Sequence, residues 1–295
     1  MNSARGLALR SRTRQGLLRE PRRASSVLKY VALTLFAIPW VVLPLWMVVV
    51  NALKPLGEAQ ALSLALPDTW AFGDNLDTVV NDGHYLTGLR NSVLVTIPAI
   101  AVVLLLGSMA AWAFARTRSR WLSAAYYLTT LSVLLPPAII PSIYLLREIG
   151  LDGTRLGYAL VTISARLGLV IFLTTGFVRA LPEDLEDAAS IDGAGPWQTY
   201  RHVLLPLLRP ILLVGGVILM ITVWNDFFFA LFLLQGEASA TLPLTLFQFA
   251  SSTVDTLSWN LVFMHVVLTS LPLIVVYLFV QRRVLSGLTE GAVKG

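Results

Sequence analysis

Long apolar runs alternate with shorter polar segments along most of this chain. Each run has about the 20 residues that a helix needs to cross the hydrocarbon core of a membrane. The runs cover residues 28–52, 89–115, 122–146, 157–178, 209–235 and 258–281. Because lipid offers no hydrogen-bond partner to the backbone, each run should be helical. The pattern predicts an all-α, polytopic membrane protein with six transmembrane helices.

The composition agrees with this interpretation. Only 13% of the 295 residues are charged and 56% are hydrophobic, whereas a soluble domain carries roughly 25% charged residues. Six spans leave little chain for a soluble catalytic domain. The absence of cysteine excludes disulfides, a thiol nucleophile and cysteine-based metal sites. The net charge of +5 sits mainly at the ends of the apolar runs, which indicates topology signals and no nucleic-acid partner.

Lysine and arginine are distributed unequally between the two sides of the predicted membrane. One side has eight through Lys29, three in 116–120, three in 179–209 and three from Arg282, which makes 17 against five on the other side. The positive-inside rule places the side with 17 in the cytoplasm. We therefore predict two cytoplasmic tails, 1–27 and 282–295, an external loop at 53–88 and a core transmembrane domain at 89–281. A cleaved signal or transit peptide would need a shorter apolar stretch than the first run.

A polar cytoplasmic segment, 181–210, interrupts the apolar pattern. Pro182 and the acids that follow it are typical of a helix start, and Gly193 and Pro196 are typical of a sharp corner. A second helical stretch, Trp197–Leu205, leads back into the membrane. This segment could be an amphipathic cover for helix ends or a docking element for another protein, and the physical pattern leaves both open.

The letters EDAASIDGA, followed by Leu205 and Pro206, carry a more specific signal. They resemble the E-A-A-x-x-D-G-A loop of the membrane subunits of binding-protein-dependent ABC transporters. In one departure, Asp187 replaces the first glutamate of that motif, which keeps the charge but shortens its reach. The resemblance implies that the loop enters a cleft of the ATPase subunit and couples closure of the ATPase to alternating access. The residues implied in docking are Glu186, Asp187, Ala188, Ala189, Asp192, Gly193, Ala194 and Pro206.

Four further stretches extend the resemblance over nearly the whole chain: NSVLVT, LLPPAIIPSIYLL, WNDFFFAL and QRRVLSGLTEGAVKG. They are similar to carbohydrate-importer permeases of the maltose-permease G-like kind. The resemblance implies a type I ABC importer permease fold in a bacterial or archaeal plasma membrane, with a sugar, oligosaccharide or related polyol as solute. It also implies contact with membrane lipid and three kinds of protein partner: a second paralogous permease, two cytoplasmic ATPase subunits and an extracytoplasmic solute-binding protein.

The chain itself has no phosphate-binding G-x-x-x-x-G-K-[ST] motif. We therefore expect no cofactor in this chain, with ATP and Mg²⁺ bound by the partner ATPase subunits. The C-terminal tail is expected either to contact the ATPase as a flexible segment or to be an unstructured stub. Its candidate contact residues are Gly287, Gly291, Lys294 and Gly295.

A second group of candidate residues lies within the fifth predicted span. Trp224, Asn225 and Asp226 could line the solute path, with the indole ring stacking on a sugar, or they could anchor a neighbouring helix, because acids inside a membrane need a partner. Pro136, Pro137 and Pro141 could form a hinge or a simple packing kink in the third span.

The remaining function classes have less support. None of the three histidines has a carboxylate or a second histidine at metal-ligand spacing, so no metal site is expected. An ion-coupled secondary transporter would need several intramembrane ionisable groups and related halves. A membrane enzyme would need a nucleophile arrangement that the chain lacks. An ABC permease for an amino acid, peptide or phosphate ester is the remaining alternative.

Overall fold

The structure is a computed structural model that describes residues 22–135, 138–251 and 257–292, with side chains described from 29 to 281. Within these residues the regular elements are helices, and no strand is formed. The helices, numbered in chain order, are α1 (Arg22–Ala37), α2 (Leu43–Ala52), α3 (Leu56–Ala59), α4 (Phe72–Asn81), α5 (Tyr85–Arg116), α6 (Arg120–Leu131), α7 (Ile139–Glu148), α8 (Arg155–Arg179), α9 (Asp184–Ile191), α10 (Pro196–Thr199), α11 (Leu205–Trp224), α12 (Phe228–Leu233), α13 (Leu242–Ser251) and α14 (Trp259–Ala292).

Five helical stretches are long and apolar enough to cross a membrane. They are Lys29–Ala52, Tyr85–Arg116, Arg155–Arg179, Pro196–Trp224 and Trp259–Gln281. The first joins α1 to α2 through a π-helical turn at Ile38–Val42. Four of the six predicted spans therefore coincide with continuous apolar helices to within a few residues. Helix α1 begins at Arg22, within the segment 1–27 that the sequence predicts to be a cytoplasmic tail, and the side of that segment stays a prediction.

The third predicted span, 122–146, is not one helix. It consists of α6 and α7, which are separated by turns and irregular backbone after Leu131. Pro136 and Pro137 lie outside the described residues. Pro141 lies in the first turn of α7, where a missing N–H removes no helical hydrogen bond. Neither α6 nor α7 reaches a full span alone, so the six-span count stays a prediction.

The fifth predicted span, 209–235, is corrected at both ends. The apolar helix begins at Pro196, passes through a π-helical turn at Tyr200–Leu204 and ends at Trp224. The chain then breaks, and the short helix α12 follows. Asp226 Oδ1 accepts a hydrogen bond from the backbone N–H of Phe229 at 3.1 Å, which satisfies one of the free donors in the first turn of α12.

Helices α5 and α8 form the most extensively packed pair, with α11 against both. Small residues allow this close packing, which is typical of membrane helices. At Gly107 of α5, a Cβ would lie 2.8 Å from Cγ1 of Val170 in α8, so no larger residue fits there. Val103, Val170 and Leu219 form the buried core between the three helices. By contrast, the first span is almost entirely exposed.

The C-terminal tail also differs from expectation. The backbone of α14 remains helical as far as Ala292 and includes Gly287 and Gly291. No proline follows Pro272, and a glycine in a helix costs only about 1 kcal/mol, so the helix can continue. The predicted flexible segment is therefore wrong over residues 287–292. Lys294 and Gly295 lie outside the described residues.

Candidate functional site

Helix α9 and the turn after it form the polar loop between α8 and α10. Gly193 has φ +81°, in the left-handed region that favours glycine. Its N–H donates to Ser190 O at 3.1 Å, and the N–H of Ala194 donates to Ala189 O at 2.9 Å. These two bonds form a Schellman motif, which ends α9 and turns the chain. The predicted glycine corner is confirmed, although α9 begins at Asp184 rather than Pro182.

The outer face of this loop is largely accessible to solvent. Asp187, Ala188, Asp192 and Gly193 are exposed, whereas Ala189, Ala194 and Pro206 are partly buried. Two apolar side chains join this face: Ile191 is 86% exposed and Leu185 is 42% exposed. Sequence reasoning did not select Ile191, although an isoleucine between small and acidic residues was the available signal. An exposed apolar side chain with acids around it is suited to protein contact.

Glu186 differs from its neighbours because its carboxylate accepts hydrogen bonds from other side chains of the same chain. Oε2 accepts a hydrogen bond from Trp112 Nε1 at 2.8 Å, and Oε1 accepts one from Arg116 Nε at 2.8 Å. Arg116 also donates from Nη2 to Leu181 O at 3.0 Å. Glu183 lies farther from the same arginine, at 3.6 Å, and 70% of its side chain is exposed. Glu186 thus attaches α9 to the end of α5.

Tyr200 attaches the other side of the loop to the same helix. Its hydroxyl is 2.7 Å from Ser108 Oγ, and its ring stacks on Trp112 with centroids 6.2 Å apart. Trp197 stacks on the other side of Tyr200 at 5.7 Å. Both arms of the loop are therefore fixed to α5. The sequence signal was the spacing of Ser108, Trp112 and Arg116, because residues four apart share one helix face.

The candidate solute residues follow α11. Trp224 is 2% exposed, and its Nε1 donates to Thr269 O of α14 at 3.2 Å, which favours a packing role for the ring. Asn225 is exposed and donates from Nδ2 to Ile221 O at 2.8 Å. Solute contact by these residues stays a prediction.

The Asp226 carboxylate faces a basic side chain on another helix. Its Oδ2 lies 3.7 Å from Arg166 Nη2 of α8, and only 4% of its side chain is exposed. Neither Oδ2 nor Arg166 Nε has a hydrogen bond. This arrangement favours the helix-anchor interpretation of Asp226, because the carboxylate links the break after α11 to a different helix.

The three histidines lie apart from one another: His202 belongs to the polar segment, with Nδ1 at 3.1 Å from Gln198 O, and the other two lie outside it. Nε2 of His84 is 3.3 Å from a carboxylate oxygen of Glu237, and His265 is buried with Nδ1 at 3.2 Å from Thr269 Oγ1. Over the described residues, no group of three or more metal-ligating side chains occurs.

Residues 91–286 match the family model described as binding-protein-dependent transport system inner membrane component. The chain belongs to this family. The matched range contains all of the polar loop and the part of α5 that holds it. The predicted family is thereby confirmed, and this membrane component is a transport subunit.

Two relatives show how far the family likeness extends. The diacetylchitobiose uptake system permease protein NgcG of Streptomyces coelicolor is 31% identical over 273 residues, covering 91% of this chain and 89% of the relative. The trehalose transport system permease protein SugB of Mycobacterium tuberculosis is 32% identical over 271 residues, covering 90% and 97%.

The fold of this membrane component is also that of a solved ABC importer. A bacterial ABC transporter involved in the import of the acidic polysaccharide alginate has a chain that matches with a TM-score of 0.77 and 22% identity. The match covers 90% of this chain and 98% of that chain. The predicted ABC importer permease fold is confirmed.

Proposed function

We propose that the chain is the membrane-spanning permease subunit of an ATP-driven importer for a sugar, oligosaccharide or related polyol. The observation that carries this proposal is similarity to sugar-transport permeases over about nine-tenths of the chain. The implied assembly contains a second, paralogous permease, two cytoplasmic ATPase subunits that bind ATP and Mg²⁺, and a solute-binding protein outside the membrane.

The polar loop is the proposed contact with one ATPase subunit. Ile191 and Leu185 supply its apolar surface, and Asp187 and Asp192 supply negative charge. Glu186 acts differently from the original expectation: it holds the loop on α5 and leaves ATPase contact to its neighbours. Through Glu186 and Tyr200, movement of the loop is passed to α5.

The proposed orientation follows from the distribution of basic residues. In this orientation the loop and both termini face the cytoplasm, and so does the Arg116 end of α5, to which the loop is attached. The other end of α5 then faces outward. Contact of Gly287, Gly291, Lys294 and Gly295 with the ATPase also stays a proposal, to be tested by deleting residues 287–295 and measuring ATP hydrolysis.

Reconstitution tests the proposed function. The chain should be co-expressed with its neighbouring permease and ATPase genes, inserted into liposomes, and supplied with the solute-binding protein and labelled sugars. We expect uptake that requires ATP and the binding protein. Uptake driven by a proton or sodium gradient without ATP would contradict the proposal, and ATP-driven uptake of only amino acids, peptides or phosphate esters would contradict its solute class.

A further inference from the structure

An open cavity of about 580 Å³ lies at the end of α5 that is remote from the polar loop. Arg90 and Arg155 line it, together with Asn91, Thr87, His84 and Glu237. Arg90 and Arg116 are 26 residues apart in one helix, which at 1.5 Å per residue separates the cavity from the loop by about 39 Å. The cavity therefore belongs to the opposite face of the membrane domain.

The wall of this cavity is built around a buried amide. Asn91 is 1% exposed, and its Nδ2 donates to Ala238 O and Ala240 O, both at 2.9 Å. Its Oδ1 accepts a hydrogen bond from Arg155 Nη1 at 2.7 Å. The Arg155 guanidinium is thus held in position by the Asn91 side chain, which is itself held by two hydrogen bonds to the backbone. Preorganised donors lose less entropy when a ligand binds.

Positive charge in the cavity exceeds negative charge. Glu237 is the acid in the lining, and it lies 3.3 Å from His84. Among the described residues, neither Arg90 nor Arg155 has a carboxylate within ion-pair distance, and both side chains are exposed. Arginine presents a planar fork of donors that matches a carboxylate. A carboxylate that enters this cavity would therefore meet two guanidinium groups that no acid among the described residues pairs with.

We infer that this cavity, the Arg90–Arg155 pocket, receives an acidic side chain of the solute-binding protein. The inference rests on the proposed function and orientation, which put the pocket on the outer face. Arg155 is the first residue of α8 and Arg90 lies in the second turn of α5, and both side chains are exposed, so the pocket is open to a large partner rather than enclosed within the bundle. A positive outer pocket also accelerates encounter with an acidic surface, and salt screens that attraction.

The test uses the complete transporter in proteoliposomes and the double variant Arg90→Gln/Arg155→Gln. The quantity measured is the concentration of solute-loaded binding protein that gives half-maximal ATP hydrolysis. Loss of two charge-assisted contacts should raise this concentration about tenfold or more. ATP hydrolysis without binding protein should stay unchanged. Added salt should raise the half-saturating concentration more for the wild type than for the variant.

Two further variants serve as controls. Arg147→Gln removes an arginine that is 59% exposed but is already paired with Asp152 at 3.0 Å, so it should behave as wild type. Arg90→Lys/Arg155→Lys keeps the charge and should recover part of the affinity. Partial recovery distinguishes a binding contact from a folding defect, because both double variants remove the same guanidinium groups.

Two outcomes would overturn the inference alone. In the first, the half-saturating concentration of binding protein is unchanged in the Gln variant. In the second, that variant differs from wild type only in its uptake of acidic sugars at saturating binding protein, which would assign the pocket to the solute. If the wild-type complex shows no stimulation by the binding protein at all, the proposed function fails and the inference fails with it.

Discussion

At the residue scale, Gly193 offers the cleanest test of the proposed contact between the polar loop and the ATPase. A Cβ at this position would meet nothing within 4 Å, so its only penalty is the backbone conformation at φ +81°. A side chain in the left-handed region costs about 1–2 kcal/mol. We expect Gly193→Val to insert into the membrane but to bind the ATPase weakly or to transport slowly. Co-purification with the ATPase and uptake measure these effects.

Gly195 provides the matched control for that substitution. It lies two residues later, has φ −73°, and a Cβ there would have no neighbour closer than 3.9 Å. Gly195→Val should therefore retain ATPase binding and uptake. Equal behaviour of the two valine variants would mean that the Schellman corner does not govern docking.

Glu186 is the residue that attaches the loop to α5. Glu186→Gln removes the charge that Arg116 and Trp112 bind, and hydrogen bonds to charged groups contribute about 1.5–3 kcal/mol. We expect the variant to assemble with the ATPase but to hydrolyse more ATP for each sugar imported. The ratio of hydrolysis to uptake in proteoliposomes measures this change.

Glu183 is the control, since it faces the same arginine at 3.6 Å but has an exposed side chain. An exposed ion pair contributes little, so Glu183→Gln should leave the ratio near the wild-type value. If Glu186→Gln also leaves the ratio unchanged, then α5 does not receive the movement of the loop through this contact.

At the scale of elements, Asp226 links the break between α11 and α12 to α8. Its carboxylate accepts a hydrogen bond from the first turn of α12 and faces Arg166 of α8. Removing one partner of a buried ion pair costs about 3–5 kcal/mol, and less where the other charge reaches solvent, as Arg166 partly does. We expect Asp226→Asn to lower the thermal stability of the purified complex while uptake per assembled complex stays normal.

The neighbouring exposed Asn225 gives the control, because Asn225→Ser keeps a short polar side chain at the end of α11 and should leave stability unchanged. Normal stability of Asp226→Asn together with an altered sugar preference would contradict the anchor interpretation. It would instead place Asp226 in the solute path.

At the scale of the whole molecule, the proposed orientation can be measured directly. Lysine and arginine counts predict cytoplasmic termini and an external segment at 53–88. Reporter fusions at residue 70 and after the last residue should report opposite sides of the membrane. The same side for both would contradict a six-span topology, and it is the result expected if α6 and α7 together do not cross the membrane.

The sequence alone determined the membrane class, most spans and the position of the polar loop. These features depend on local properties: apolar length, charge bias, and the turn chemistry of Gly193. Local patterns did not predict the interruption after Leu131, since apolar content does not distinguish one helix from two. They also did not predict that α14 extends to Ala292, because its last residues are not apolar enough to continue the span pattern.

Only the tertiary structure decided what each polar side chain faces. Glu186 and Asp187 are adjacent acids in one motif, yet one is bound by α5 and the other is exposed. Arg166 and Asp226 are 60 residues apart, and packing of α8 against the chain after α11 brings them together. The side chains that meet are set by how helices distant in sequence pack, which a one-dimensional pattern does not specify.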